Sequence, residues 1–138
     1  MKKKPAKAAE AQLLHDNRQT ALRVEEGLPV TDLVAFGREA GFTVDELARL
    51  VHIPTRTYAR RVASKARLKL PEGERAVRLM RLYDRAKQLF VTHDNTRQWL
   101  NTEIPALGWR TPLDFAQTEP GAREVEAVIE RIEDGVVM

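Results

Sequence analysis

TVDELARLVHIPTRTYARRVASK, residues 43–65, decides the fold. It reads as two short helices joined by a tight turn. The first opens at Thr43 with Glu46 three residues on, the capping-box arrangement in which each residue's side chain satisfies the other's backbone amide. Val44, Leu47, Ala48 and Val51 follow i, i+3, i+4, i+7 and give this helix one apolar face. Ile53-Pro54 stops it, because the residue before a proline avoids helical φ/ψ, and Thr55 is placed to cap the second helix. Stepped at roughly 100° per residue, the second helix puts Arg56, Thr57, Arg60, Arg61, Ser64 and Lys65 on one half of the wheel. Tyr58, Ala59, Val62, Ala63 and Ala66 fall on the other half.

Helix, short turn and basic amphipathic helix is the sequence form of a helix-turn-helix that reads DNA. The candidate DNA contacts are Thr55, Arg56, Thr57, Arg60, Arg61, Ser64 and Lys65. A run of charge is more often plain solvated surface. Here, however, the cations gather on the second helix while the first carries Asp45 and Glu46. That asymmetry suits a polyanion, whose affinity comes largely from cations meeting phosphates.

Working outward, Val30–Ala40 reads as a supporting helix with Leu33, Phe36, Gly37 and Ala40 on one face and Gly41 as its stop. Residues 1–26 form a lysine- and alanine-rich arm, disordered or helical, in which Lys2, Lys3, Lys4 and Lys7 are available to phosphates. Pro71, followed by Glu72 and Glu74, opens a helix running to about Phe90. Its wide apolar stripe, Ala76, Leu79, Met80, Leu82, Tyr83, Ala86, Leu89 and Phe90, calls for more than one neighbour. Arg75, Arg78, Arg81 and Arg85 share an adjoining face and read as solvated. Asn95 is placed to cap a short helix holding Trp99 and Leu100. Thr111-Pro112 opens another, and Thr118 caps a last helix with Ala122, Val125, Val128, Ile129 and Ile132 at helical spacing. Trp99 and Trp109 are expected as core anchors. No stretch alternates as a strand does, so the fold is expected to be all-α, with a helix-turn-helix unit at 27–70 and a second helical unit at 71–138.

Composition narrows the function. Hydrophobic content of 43% with 31% charged residues is that of a soluble globular chain. No apolar run reaches the ~18 residues of a membrane span, and the basic start MKKKPAK has no apolar stretch of a secretory signal behind it. With zero cysteines there is neither a disulfide nor a thiolate metal site, and the expected localisation is cytoplasmic. His15, His52 and His93 are scattered. Phosphate-cradling and nucleophile motifs are absent, so neither an enzyme nor a cofactor is expected. Residues 1–70 carry 14 Lys/Arg against 8 Asp/Glu, and residues 71–138 carry 9 against 12. A basic front and an acidic back suggest two different partners. The last helix ends in Glu130, Glu133 and Asp134, acids that oppose the helix dipole. Such a departure from local consistency marks a candidate contact, here with a cationic pocket on a partner.

The C-terminal stretch LGWRTPLDFAQTEPGAREVEAVIERIEDGV resembles the toxin-binding domain of the Xre/MbcA/ParS antitoxins. The matching pieces are Leu107-Gly108, Thr111-Pro112-Leu113, Thr118-Glu119, Gly121-Ala122, Arg131-Ile132 and Gly135-Val136. Residues 27–61 are similar to the Xre-like DNA-binding part of the same family. The pattern departs at Thr92-His93, where the family often has glycine-aspartate, and at Asp134, where an aromatic is frequent. The resemblance implies an antitoxin of a bacterial type II module. Such a protein binds its own promoter as an autorepressor, dimerises, and covers the active site of a RES-domain toxin that degrades NAD. By position it makes Arg131, Glu133, Asp134, Gly135, Val136, Val137 and Met138 the toxin-facing candidates. The competing reading is a dimeric helix-turn-helix regulator with no toxin partner.

Overall fold

The computed structural model describes residues 16–135, and the elements within them are helical, with two isolated β-bridges, Pro29–Arg67 and Ile104–Arg110. In chain order they are α1 (Asn17–Glu26), α2 (Val30–Ala40), α3 (Val44–Leu50), α4 (Thr55–Ser64), α5 (Leu70–Phe90), α6 (His93–Leu100), a 3₁₀ turn (Pro105–Leu107), α7 (Pro112–Phe115) and α8 (Glu119–Glu133). The all-α expectation holds, and the bounds of α2 and the end of α5 are those read from the sequence. The basic run of residues 2–7 lies outside the described residues. Of the arm, the part from Asn17 to Glu26 is α1, capped by Asp16 through its acceptance from the Gln19 amide, with Thr20 and Val24 buried.

Most starts follow the capping logic. Thr43 and Glu46 form the full capping box on α3, and Thr111 and Thr118 accept from the amides of Asp114 and Gly121. Two differ. Pro54, with no side-chain cap, precedes α4, and Thr55 is its first helical residue. Thr92 rather than Asn95 caps α6, accepting from the Asn95 amide at 3.1 Å.

The helix-turn-helix turn is closed by the Ile53 amide donating to the Ala48 carbonyl, and His52 takes a positive φ of 58° to make the bend. Around it α2, α3, α4 and α5 share one apolar core with the C-terminal helices. That core runs from Leu28, Val30 and Leu33 through Tyr58, Met80 and Leu82 to Leu100, Leu107, Val125 and Ile129. Long α5 is the common wall, packed on α1, α3, α6 and α8. Its wide apolar stripe is thus accounted for within one chain.

Between α5 and α6 the chain turns at Val91, with φ 75° and ψ −52°, and the Thr92 amide donates to the Phe90 carbonyl at 2.9 Å. This is the strained, positive-φ form of the γ-turn, which a β-branched residue adopts only at a cost. Val91 is also 71% exposed, so its side chain contributes little burial. Val91→Gly should therefore raise stability by about 1 kcal/mol, the relief of backbone strain less the extra entropy of glycine. Urea unfolding checks this; a lower midpoint would show that the valine side chain matters more than its backbone.

Candidate functional sites

The basic helix is α4, and its orientation is set by Tyr58, 2% exposed in the core. With Tyr58 as the inward centre, Thr57, Arg61 and Val62 are partly covered, and Thr55, Arg56, Ala59, Arg60, Ala63 and Ser64 face outward. The wheel is turned by most of one residue step from the sequence expectation. Ala59 and Ala63 join the exposed face, and Arg61 leaves it. Arg61 instead pairs with Glu72 at the start of α5, both side chains largely covered at 14% and 12% exposure. It ties the helix-turn-helix to α5. Among the described residues no ion pair holds Arg56, Arg60 or Lys65. Lys65 ends the helix in the left-handed conformation, φ 52°. No acid stands in the first turn of α4, so its positive dipole end and its free cations present one sign of charge. The face can hold a polyanion and bring two guanidinium forks to it.

The second site lies along α5 and α8. Of the four arginines read as solvated, Arg78, Arg81 and Arg85 are paired instead. Arg78 donates from Nε to Glu119 at 3.1 Å and from Nη1 to the Gln117 carbonyl at 3.2 Å. Arg81 bridges Glu119 at 2.8 Å and Glu126 at 3.1 Å, and Arg85 pairs with Glu133. Glu119, Glu126 and Glu133 are spaced by seven, as are Arg78 and Arg85, so the two helices run in the same direction with a polar ladder beside their apolar contact. Burial pushes the Glu119 carboxyl up, but its hydrogen bonds and charge contacts with Arg81 and Arg78 outweigh that and hold it below the usual range. The Arg85 hydrogen bond lowers Glu133 likewise.

Depressed carboxyls stabilise the fold above their unfolded-state pKa, 4.5 here, and lose that contribution as pH falls through the folded value. Acid unfolding followed by circular dichroism should thus show stability falling below pH 4.5, and Glu119→Gln should flatten that fall. An unchanged acid profile would contradict the ladder's role.

The C-terminal turn is accordingly less free than its acids suggest. Glu133 is answered within the chain by Arg85. Asp134 is the exposed cap, Gly135 follows at φ 74°, and Arg131 reaches Glu124 only at 4.0 Å. Val136, Val137 and Met138 lie outside the described residues. The two sites are joined: His52 at the helix-turn-helix turn bonds through Nε2 to Gln117 Oε1 at 2.5 Å, just before α8. His93 is likewise engaged. Burial pushes the Tyr83 hydroxyl up to about 12, and it shares a hydrogen bond of 2.6 Å with His93 Nδ1. Among the described residues no group of three or more His, Cys, Asp or Glu side chains is arranged to hold a metal ion. No described helix is long and apolar enough to cross a membrane.

The aromatic expectation divides. Trp99 is partly buried and stacks on Phe90 with ring centroids 5.0 Å apart. Trp109 is 65% exposed. The sequence treats both alike, and the signal that separates them is the glycine before Trp109, which opens a tight turn.

Comparison with known proteins gives two matches along the chain. Residues 19–81 match the model of the antitoxin Xre-like helix-turn-helix domain, and residues 85–135 match the antitoxin Xre/MbcA/ParS C-terminal toxin-binding domain. The two matches meet within α5. The chain is 36% identical over 115 residues to the antitoxin Xre of Photorhabdus laumondii subsp. laumondii, covering 83% of this chain and 78% of that protein. It is 32% identical over 134 residues to the antitoxin Xre of Yersinia enterocolitica serotype O:8, covering 86% and 88%. A DNA-reading fold joined through α5 to a matched toxin-binding domain, over most of the chain's length, makes this protein a member of the Xre/MbcA/ParS antitoxin family.

Proposed function

We propose that this protein neutralises a RES-domain, NAD-degrading toxin and represses its own promoter as a homodimer in the cytoplasm, with no enzymatic activity of its own. The observation that carries this reading is the pairing, in one core, of an unneutralised cationic α4 face with a C-terminal toxin-binding domain. In the proposed division of labour, Arg56 and Arg60 enter the major groove. Thr55, Ser64 and Lys65 meet phosphates, and Thr57 and Arg61 hold the helix in place. The toxin meets the turn at Arg131, Asp134 and Gly135 with the tail Val136–Met138, while Glu133 stays on Arg85 and fixes the direction of the turn.

The test pairs two assays on one variant. Deleting residues 134–138 leaves the Arg85–Glu133 pair in place and should abolish toxin binding in calorimetry. Gel shifts on the protein's own upstream promoter should be unchanged and should retain their steep loss of affinity with salt, the mark of phosphate contacts. Loss of both activities, or of neither, would overturn the assignment.

A further inference from the structure

We propose that Trp109 is a preformed anchor that inserts into an apolar hollow on the toxin, a contact beyond the C-terminal turn; this rests on the toxin-binding reading above. Trp109 sits in a short loop closed by two backbone bonds. Its own amide donates to the Ile104 carbonyl at 2.9 Å, and the Ile104 amide donates to the Arg110 carbonyl at 3.1 Å. Ile104 and Leu107 plug the loop into the core at 9% and 2% exposure. On the other side Arg110 donates to Asp114 Oδ2 at 2.8 Å with its guanidinium 5.2 Å from the centre of the Phe115 ring. The loop is thus fixed, and it holds the largest side chain of the genetic code 65% exposed, at a left-handed φ of 63°.

Both features cost stability in the isolated protein. A bulky residue at positive φ is strained, and an exposed indole forgoes the burial that normally favours it. Residues 104–109, IPALGW, contain no charged group in a chain that is 31% charged. An uncharged run that ends on an exposed tryptophan, with the Arg110–Asp114 pair at its edge, has the composition of an apolar interface centre with a polar rim. An aromatic carried on a fixed backbone, which pays little backbone ordering entropy on binding, is the usual form of its anchor.

The loop also indicates which partner. A Cβ built at Gly108 meets nothing within 4 Å, so the space beside Trp109 is open to an incoming surface. Trp109 lies inside residues 85–135, the segment matched to the toxin-binding domain, so the partner that this loop fits is the toxin.

The full-length protein and the toxin encoded by the neighbouring gene are titrated by calorimetry. Trp109→Gly removes the indole and suits the backbone, so it should bind at least about 30-fold more weakly while unfolding at the same or higher urea concentration. Trp109→Phe should recover most of the affinity. The mass in light scattering should match that of the unsubstituted protein. Equal toxin affinity for Trp109→Gly would overturn the proposal while leaving the antitoxin reading in place. A change of oligomeric state would assign the indole to a second copy instead. Failure of the unsubstituted protein to bind the toxin would overturn both readings together.

Discussion

Replacing Arg61 with alanine should lower the unfolding free energy by about 2–3 kcal/mol, whereas Arg60→Ala, one residue earlier, should leave it within about 0.5 kcal/mol. The two arginines are adjacent in sequence and opposite in role. Arg60 is exposed, and Arg61 is paired with Glu72 where both side chains are largely covered. Glu72 also accepts from the Lys69 amide at 2.8 Å as the cap of α5. Removing Arg61 therefore leaves a covered carboxylate at a helix start without its cation and loosens α4 from α5 together. Breaking a fully buried pair costs about 3–5 kcal/mol; the residual exposure here reduces that. Operator affinity should separate the pair the other way. Arg60→Ala should cost about 1–3 kcal/mol of binding, the worth of a good base contact, with its stability intact. Equal unfolding midpoints for the two variants would contradict the orientation of α4.

Gly121→Ala should destabilise the fold by about 2–3 kcal/mol, although glycine to alanine inside a helix ordinarily stabilises by about 0.5–1 kcal/mol. The reversal comes from the approach of α7 to α8. A Cβ at Gly121 would lie 2.0 Å from the Phe115 carbonyl oxygen and 3.1 Å from both the Phe115 carbonyl carbon and Thr118 Oγ1. Carbonyl oxygens cannot swing aside as side chains do, so α7 would have to move, carrying buried Leu113 and Ala116 with it. Gly37 offers the comparison. A Cβ there meets the Leu47 Cδ1 at 2.2 Å, a side-chain tip that can shift, so Gly37→Ala should cost less. Thermal unfolding of the two variants checks the order, and a Gly121→Ala protein as stable as the original would contradict the close contact.

What the sequence made legible was local. Caps at Thr43, Thr111 and Thr118, the stop at Gly41 and the apolar rhythms of α2, α5 and α8 each depend on residues within a turn or two, and the helices stand where those signals put them. What it hid depends on partners far along the chain. The roll of α4 is decided by the pull of Glu72 on Arg61 and the burial of Tyr58, neither of which a wheel of one helix contains. Arg78, Arg81 and Arg85 look like a solvated row until α8 lies beside them with acids at matching spacing. The acidic end of α8 reads as unanswered for the same reason, since Arg85 is 48 residues from Glu133. Trp109 was misread because bulk argues for burial, while the left-handed turn that exposes it depends on the bridge from Ile104 to Arg110. The helix-turn-helix was therefore readable as a motif, but which of its cations remain free was not.

The most direct measurement of the antitoxin reading is cellular NAD and growth when the neighbouring gene is expressed alone and then together with this protein. NAD and growth should collapse in the first case and recover in the second. A harmless neighbour with steady NAD, or a collapse that co-expression fails to reverse, would contradict it.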